Sequence, residues 1–129
     1  MPAQTNPEVL SYYEATEELM RDIIGENVGT APQLEELALD SSNEARDAEE
    51  KILRERVKIA TRRLARLQSL NPPAEVSHIH QTYLKAFSFG LMARKEELKG
   101  SLLTAKAAYD ASADEIKNAD AMWEKLGFD

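Results

Sequence analysis

The stretch LRERVKIATRRLARLQSLNPP, residues 53–73, decides the fold class because it joins a long amphipathic helix pattern to an abrupt stop. Its apolar residues recur at alternating spacings of four and three, which is typical of a seam between packed helices. They are Leu53, Val57, Ala60, Leu64 and Leu67. The segment Asn71-Pro72-Pro73 ends the pattern, since proline disfavours helical geometry in the residue before it. We therefore predict a helix over residues 44–70.

Three further helices are predicted on similar grounds. The first begins at Asn6-Pro7, where Asn caps and Pro fits the first helical position, and it ends at two glycines. Residues 25–32 are then a predicted loop, and residues 1–6 a flexible terminus. The third runs from about residue 73 to residue 99, and the fourth ends before Gly127. The pattern leaves two points open: a separate short helix over residues 32–40, and continuity of helices three and four.

The predicted architecture is all-α, because strand-like alternation is missing and the loops between amphipathic helices are short. We expect one domain over residues 1–129, an up-and-down bundle of four helices with helices two and three joined at Asn71-Pro72-Pro73. A helix of this length spans roughly 40 Å at about 1.5 Å per residue. That is long for a monomer of this size, which favours a homodimer in which a second copy covers part of an apolar face.

The composition narrows the class of protein. The chain has 129 residues, of which 43% are hydrophobic and 30% charged, as in an ordinary globular domain. It has no cysteine, which excludes disulfides and thiolate chemistry and fits a reducing cytoplasm. No apolar run of about 18 residues occurs, and the N-terminus does not resemble a secretory signal. We expect a cytoplasmic protein that makes no membrane contact.

The net charge of −7 is unevenly placed along the chain. Residues 1–50 are strongly acidic, whereas residues 51–66 are basic. Five cations of helix two are predicted to form one outer basic face: Lys51, Arg54, Lys58, Arg62 and Arg66. Acidic residues of helix one, or of another copy, could neutralise this face, and so could a nucleic-acid backbone. No aromatic residue is interleaved with the cations and no nucleic-acid motif is present, so nucleic acid is the alternative partner.

The two histidines of helix three are predicted to point in opposite directions. At about 100° per residue, His80 points into the apolar stripe of helix three, whereas His78 points outward with Glu75. The Glu75-x-x-His78 spacing therefore does not predict a di-iron centre, which needs inward carboxylates. His80 is expected at one pole of the bundle among aromatic residues, namely Tyr12, Tyr13, Tyr83 and Trp123. Such a histidine is either a buried, hydrogen-bonded residue or part of a pH-sensitive contact or small-ligand pocket.

Two other features of helix three indicate interactions. Phe89 lies about 180° from His80, near Ala86, Met92 and Ala93, and these four residues form a predicted partner-binding patch. Scattered exposed apolar residues would explain them equally well. Arg94 falls within the apolar stripe, and Glu49 falls near the seam of helix two. Both are predicted members of buried or inter-subunit ion pairs.

No catalytic pattern is recognisable in the sequence: it lacks a defensible Ser-His-Asp order, a Gly-rich phosphate loop and a Cys/His metal cluster. We therefore expect no enzymatic activity, no cofactor and no metal. The function that the sequence favours is a protein–protein interaction module, such as an adaptor, inhibitor or assembly factor. The alternatives are a nucleic-acid-binding accessory protein and a metal- or ligand-binding bundle centred on His80.

Overall fold

A computed structural model describes residues 5–128 of the chain. Within them the prediction of an all-α bundle of four helices is confirmed. The helices are α1 (Pro7–Ala38), α2 (Asn43–Ser69), α3 (Ser77–Lys99) and α4 (Leu102–Lys125), with a 3₁₀ turn at Ala74–Val76 before α3. Most of the predicted flexible terminus, residues 1–4, lies outside the described residues.

The helix ends follow from local chemistry. Asn6 caps α1, its Oδ1 accepting hydrogen bonds from the backbone N–H groups of Glu8 and Val9. Ser42 caps α2 by accepting from the N–H of Ala45. Gly100 adopts a left-handed conformation with φ of 82° and ends α3, which separates α3 from α4. The question of a separate short helix over residues 32–40 is also decided, because residues 32–38 belong to α1.

The predicted loop over residues 25–32 is wrong, because α1 runs through it without interruption. A glycine inside a helix costs only about 0.5–1 kcal/mol relative to alanine, so Gly25 and Gly29 weaken α1 without ending it. Between them, Glu26 forms ion pairs with α2 and α3 that hold this segment against the bundle. Tertiary contacts thus override the local turn signal, and α1 continues past Pro32 to Ala38.

The four helices pack as antiparallel neighbours, α1 against α2, α2 against α3, and α3 against α4. The α3–α4 contact is close because small residues lie on both helices, and Ser112 Oγ donates a hydrogen bond to the carbonyl of Ala86 at 2.8 Å. The core is continuous and is richest at the end of the bundle where α1 and α3 begin. Its buried members include Val9, Leu19, Leu67, Val76, Ile79, Tyr83 and Trp123.

The predicted partner-binding patch on α3 is wrong for two of its four residues. Ala86 and Ala93 are fully buried, Phe89 is half-buried and Met92 is exposed. The reason is that α3 contacts both α2 and α4, so its buried arc is wider than one apolar stripe and extends to the small residues. The solvent-facing part of α3 is consequently narrower than the sequence indicated.

Candidate functional site

A buried carboxylate lies at the centre of the bundle. The Glu26 side chain is only 4% exposed, and three arginine side chains surround it. Arg94 Nη2 lies 3.0 Å and Arg63 Nη1 3.2 Å from Glu26 Oε2, and Arg56 Nε lies 3.6 Å from Oε1. The sequence indicated Arg94 as an ion-pair member but missed Glu26, because the two flanking glycines placed it in a loop.

The cluster continues from Glu26 to Tyr109 and Glu97. Arg56 Nη2 donates to the Tyr109 hydroxyl at 2.9 Å, and that hydroxyl donates to Glu97 Oε1 at 3.2 Å. The Arg94 guanidinium also lies over the Tyr109 ring, 5.6 Å from its centroid. Burial raises the pKa of Tyr109 and lowers that of Arg63. The cluster contains three guanidinium groups and two carboxylates, and the carboxylate of Asp22 also acts on Arg63.

A cleft opens beside this cluster, between α1 and α4, and α2 and α3 form its floor. It encloses about 440 Å³, within the range of binding pockets in proteins. Apolar side chains make up most of its walls, among them Ile23, Ala86, Phe87, Leu91, Ala113 and Ile116. Arg63, Arg94, Tyr109, Ser112 and Lys117 supply its polar groups. The cleft therefore combines apolar walls with cationic groups.

The cleft exists because α1 and α4 approach each other mainly at one end of the bundle. There Tyr13 contacts Trp123, with ring centroids 4.9 Å apart. Ile24 follows Tyr13 by 11 positions, which returns it to within about 20° of the same direction. Ile24 therefore faces the α4 side, yet its side chain is 59% exposed, because α4 no longer covers α1 there.

Most of the exposed large apolar residues lie away from the aromatic pole, in the half of the bundle that contains the α3–α4 turn. Val28 is 70% exposed and Leu103 is 88% exposed. Ile24, Leu39 and Leu102 are also exposed. Single exposed apolar residues are common on protein surfaces, so the cleft and not this set carries the argument for a binding site.

The predicted aromatic pole is present, with all five residues brought together. Tyr12 Oη and His80 Nδ1 lie 2.8 Å apart, and Trp123 Nε1 donates to the Tyr83 hydroxyl at 2.9 Å. Tyr13 stacks on Phe128 at a centroid distance of 4.5 Å. Burial lowers the pKa of His80, and it raises the pKa of Tyr12 and that of Tyr83, the latter to about 12. These polar groups satisfy one another, as expected of a core.

The remaining predicted residues lie on the surface. Glu75 and His78 are exposed, and Asn6 Nδ2 donates to Glu75 Oε2 at 3.3 Å. Glu49 is half-buried and forms no ion pair within residues 5–128. No group of three or more His, Asp or Glu side chains in that range is arranged to hold a metal ion. None of the helices described there has an apolar stretch long enough to cross a membrane.

The basic face of α2 is exposed, and acidic neighbours neutralise part of it. Arg54 pairs with Glu50 at 2.6 Å, and Arg66 lies 3.5 Å from Glu18 and 3.6 Å from Asp22. The other three cations of this face, Lys51, Lys58 and Arg62, have no ion pair among the described residues. α1 thus supplies part of the negative charge that neutralises the basic face, at Arg66.

Comparisons of the chain with protein-family models, with curated proteins and with solved structures give no match. The fold and the cleft are therefore interpreted from their own geometry.

Proposed function

We propose that the protein is a non-enzymatic interaction module and that a helix of a partner protein packs into the cleft between α1 and α4. The observation that carries this proposal is the uncovered α4-facing side of α1. Ile24 has the direction of Tyr13, which contacts Trp123, but has no helix opposite it. A partner helix would supply the missing contact.

A helix suits the cleft for geometric reasons. Two antiparallel helices form its walls, and a groove between helices accepts the apolar face of a third, with anchors at spacings of three and four residues. The walls already provide apolar side chains on both sides, Ile23 from α1 and Ile116 from α4. Ala113, which is small and exposed, leaves room for the anchors.

We assign a structural role to the aromatic pole, which lies at the other end of the bundle from the α3–α4 turn. The Tyr12–His80 and Trp123–Tyr83 hydrogen bonds join polar atoms of the pole to one another across α1, α3 and α4. The pole holds α1, α3 and α4 together, so that the walls of the cleft keep their spacing. We therefore assign binding to the cleft and stability to the pole.

Site-specific photo-crosslinking in the native host tests this proposal. The photoreactive residue p-benzoylphenylalanine is placed at Ile24, which is exposed and follows the cleft-lining Ile23, and at Lys95, an exposed control position on α3. We expect adducts from position 24 that map to a helical segment of one partner protein, and none from position 95. Ala113→Trp, which fills the cleft from an exposed position, should abolish them while circular dichroism stays unchanged.

The proposal is contradicted if both positions give the same adducts. It is also contradicted if Ala113→Trp leaves the adducts of position 24 intact. Adducts solely between two copies of this chain would assign the cleft to self-association instead of a separate partner.

A further inference from the structure

The charge of the cleft is opposite to that of the protein. The chain carries 23 acidic and 16 basic residues. The described residues that line the cleft nevertheless include three cations, Arg63, Arg94 and Lys117, and no aspartate or glutamate. A binding surface whose charge opposes that of the rest of the molecule selects partners by electrostatic complementarity.

The three cations differ in how fully their donors are used. All three nitrogens of the Arg94 guanidinium already donate hydrogen bonds, Nε and Nη2 to Glu26 and Nη1 to the carbonyl of Gly90 at 3.0 Å. Arg63 makes one hydrogen bond within residues 5–128, from Nη1 to Glu26, although a guanidinium has five N–H donors. Lys117 is exposed and has no ion pair among the described residues. Donors are therefore available on the cleft floor at Arg63 and on its rim at Lys117.

We propose that the partner helix presents an acidic side chain to Arg63 and Lys117, next to the apolar residues that enter the cleft. This inference rests on the proposed function and specifies the chemistry of the partner. A carboxylate from the partner would pair with the N–H donors of Arg63 and Lys117 for which the described residues provide no hydrogen bond.

The net negative charge of the molecule limits the places where an acidic partner helix can bind. With a net charge of −7, the molecule as a whole repels an acidic helix, and attraction is limited to the cationic cleft and the exposed basic face of α2. A basic helix would meet the opposite situation, with attraction over much of the surface and repulsion in the cleft. Charge therefore determines which amphipathic helices the cleft accepts.

Fluorescence anisotropy with two labelled model peptides tests the inference. Each has about 18 residues, enough for about five helical turns, with leucines on one face and alanines elsewhere. One carries glutamates beside the leucine face and the other carries lysines at the same positions. We expect the full-length protein to bind the glutamate peptide more tightly, and Lys117→Glu to weaken that binding about tenfold. Lys125→Glu, an exposed change on the same helix outside the cleft, should leave it unchanged.

The inference is overturned if the lysine peptide binds as tightly as the glutamate peptide, or if neither binds. Equal effects of Lys117→Glu and Lys125→Glu would overturn it as well, because a general charge effect would then explain the result. The crosslinking at position 24 stays informative in each case. Specific, cleft-dependent adducts without acidic preference would retain the proposed function and reject only the partner chemistry.

Discussion

Glu26 of α1 and Arg94 of α3 share two hydrogen bonds inside the bundle, from Nε to Oε1 at 3.3 Å and from Nη2 to Oε2 at 3.0 Å. They are 68 residues apart in sequence. Because a paired arginine and carboxylate in this geometry fix both distance and orientation, the contact holds the middle of α1 over α3. The cleft between α1 and α4 lies at this level of the bundle, where Ile23 and Asn27 of α1 line it.

Removing the charge of Glu26 should destabilise the fold strongly. Glu26→Gln keeps the shape of the side chain but leaves three buried arginines with too little negative charge. Breaking a buried ion pair from one side typically costs about 3–5 kcal/mol. We expect a loss of that size in the free energy of unfolding, measured by urea denaturation. The control Glu18→Gln, at the exposed pair with Arg66, should cost about 0–1 kcal/mol, and an equally small effect of Glu26→Gln would contradict the cluster's role.

The glycines of α1 should respond to substitution as residues of a helix. A Cβ added at Gly25 or Gly29 meets no atom within 4 Å, so alanine fits both positions. We expect each change to raise the free energy of unfolding by about 0.5–1 kcal/mol, because alanine favours the helix. Gly100→Ala should lower it, since φ is 82° there. Thermal unfolding of the three variants provides the comparison, and destabilisation by both α1 changes would indicate that residues 25–32 form a loop.

How far the sequence predicts this structure depends on whether local or tertiary forces decide each element. The caps at Asn6 and Ser42 are local and could be foreseen, and the inward direction of His80 followed from helical angle alone. The helical conformation of residues 25–32 could not be predicted, because the arginines that stabilise Glu26 come from α2 and α3. From sequence alone, a charged residue between two glycines indicates a turn, because its ion-pair partners in other helices are not visible. The cleft was equally hidden, since the separation of α1 and α4 is a property of packing.

The buried side of α3 can be tested with two neighbouring residues. Ala93 is fully buried, whereas Met92 is 48% exposed. Ala93→Leu inserts extra volume into a packed interior and should cost about 1–3 kcal/mol. Met92→Leu should change the free energy of unfolding by no more than about 0.5 kcal/mol. Urea denaturation measures both, and the reverse order of effects would place the solvent-facing side of α3 where Ala93 lies.

The free energy of unfolding should decrease as the pH is lowered, because His80 is buried. Burial lowers the pKa of its imidazole, whose ordinary value is about 6.5. The unfolded chain therefore binds a proton at a higher pH than the folded protein. The contribution of His80 is fully present above about pH 6.5 and declines as the pH falls toward the folded pKa.

The free energies of unfolding at about pH 7 and about pH 5 are compared for the wild type and two variants. His80→Gln, which can still bond to the Tyr12 hydroxyl, should reduce the pH dependence. His78→Gln, on the exposed side, should preserve it. Equal pH dependence in the wild type and His80→Gln would show that His80 makes no such contribution.

The continuity of α1 past Glu26 determines both the buried cluster and the open cleft, and amide hydrogen exchange measures it directly. We predict protected amides over residues 26–31 in the wild type, because they bond within the helix. The same amides should exchange much faster in Glu26→Gln. Exchange over residues 26–31 of the wild type at the rate of an unstructured peptide would contradict a continuous α1, and with it the cleft.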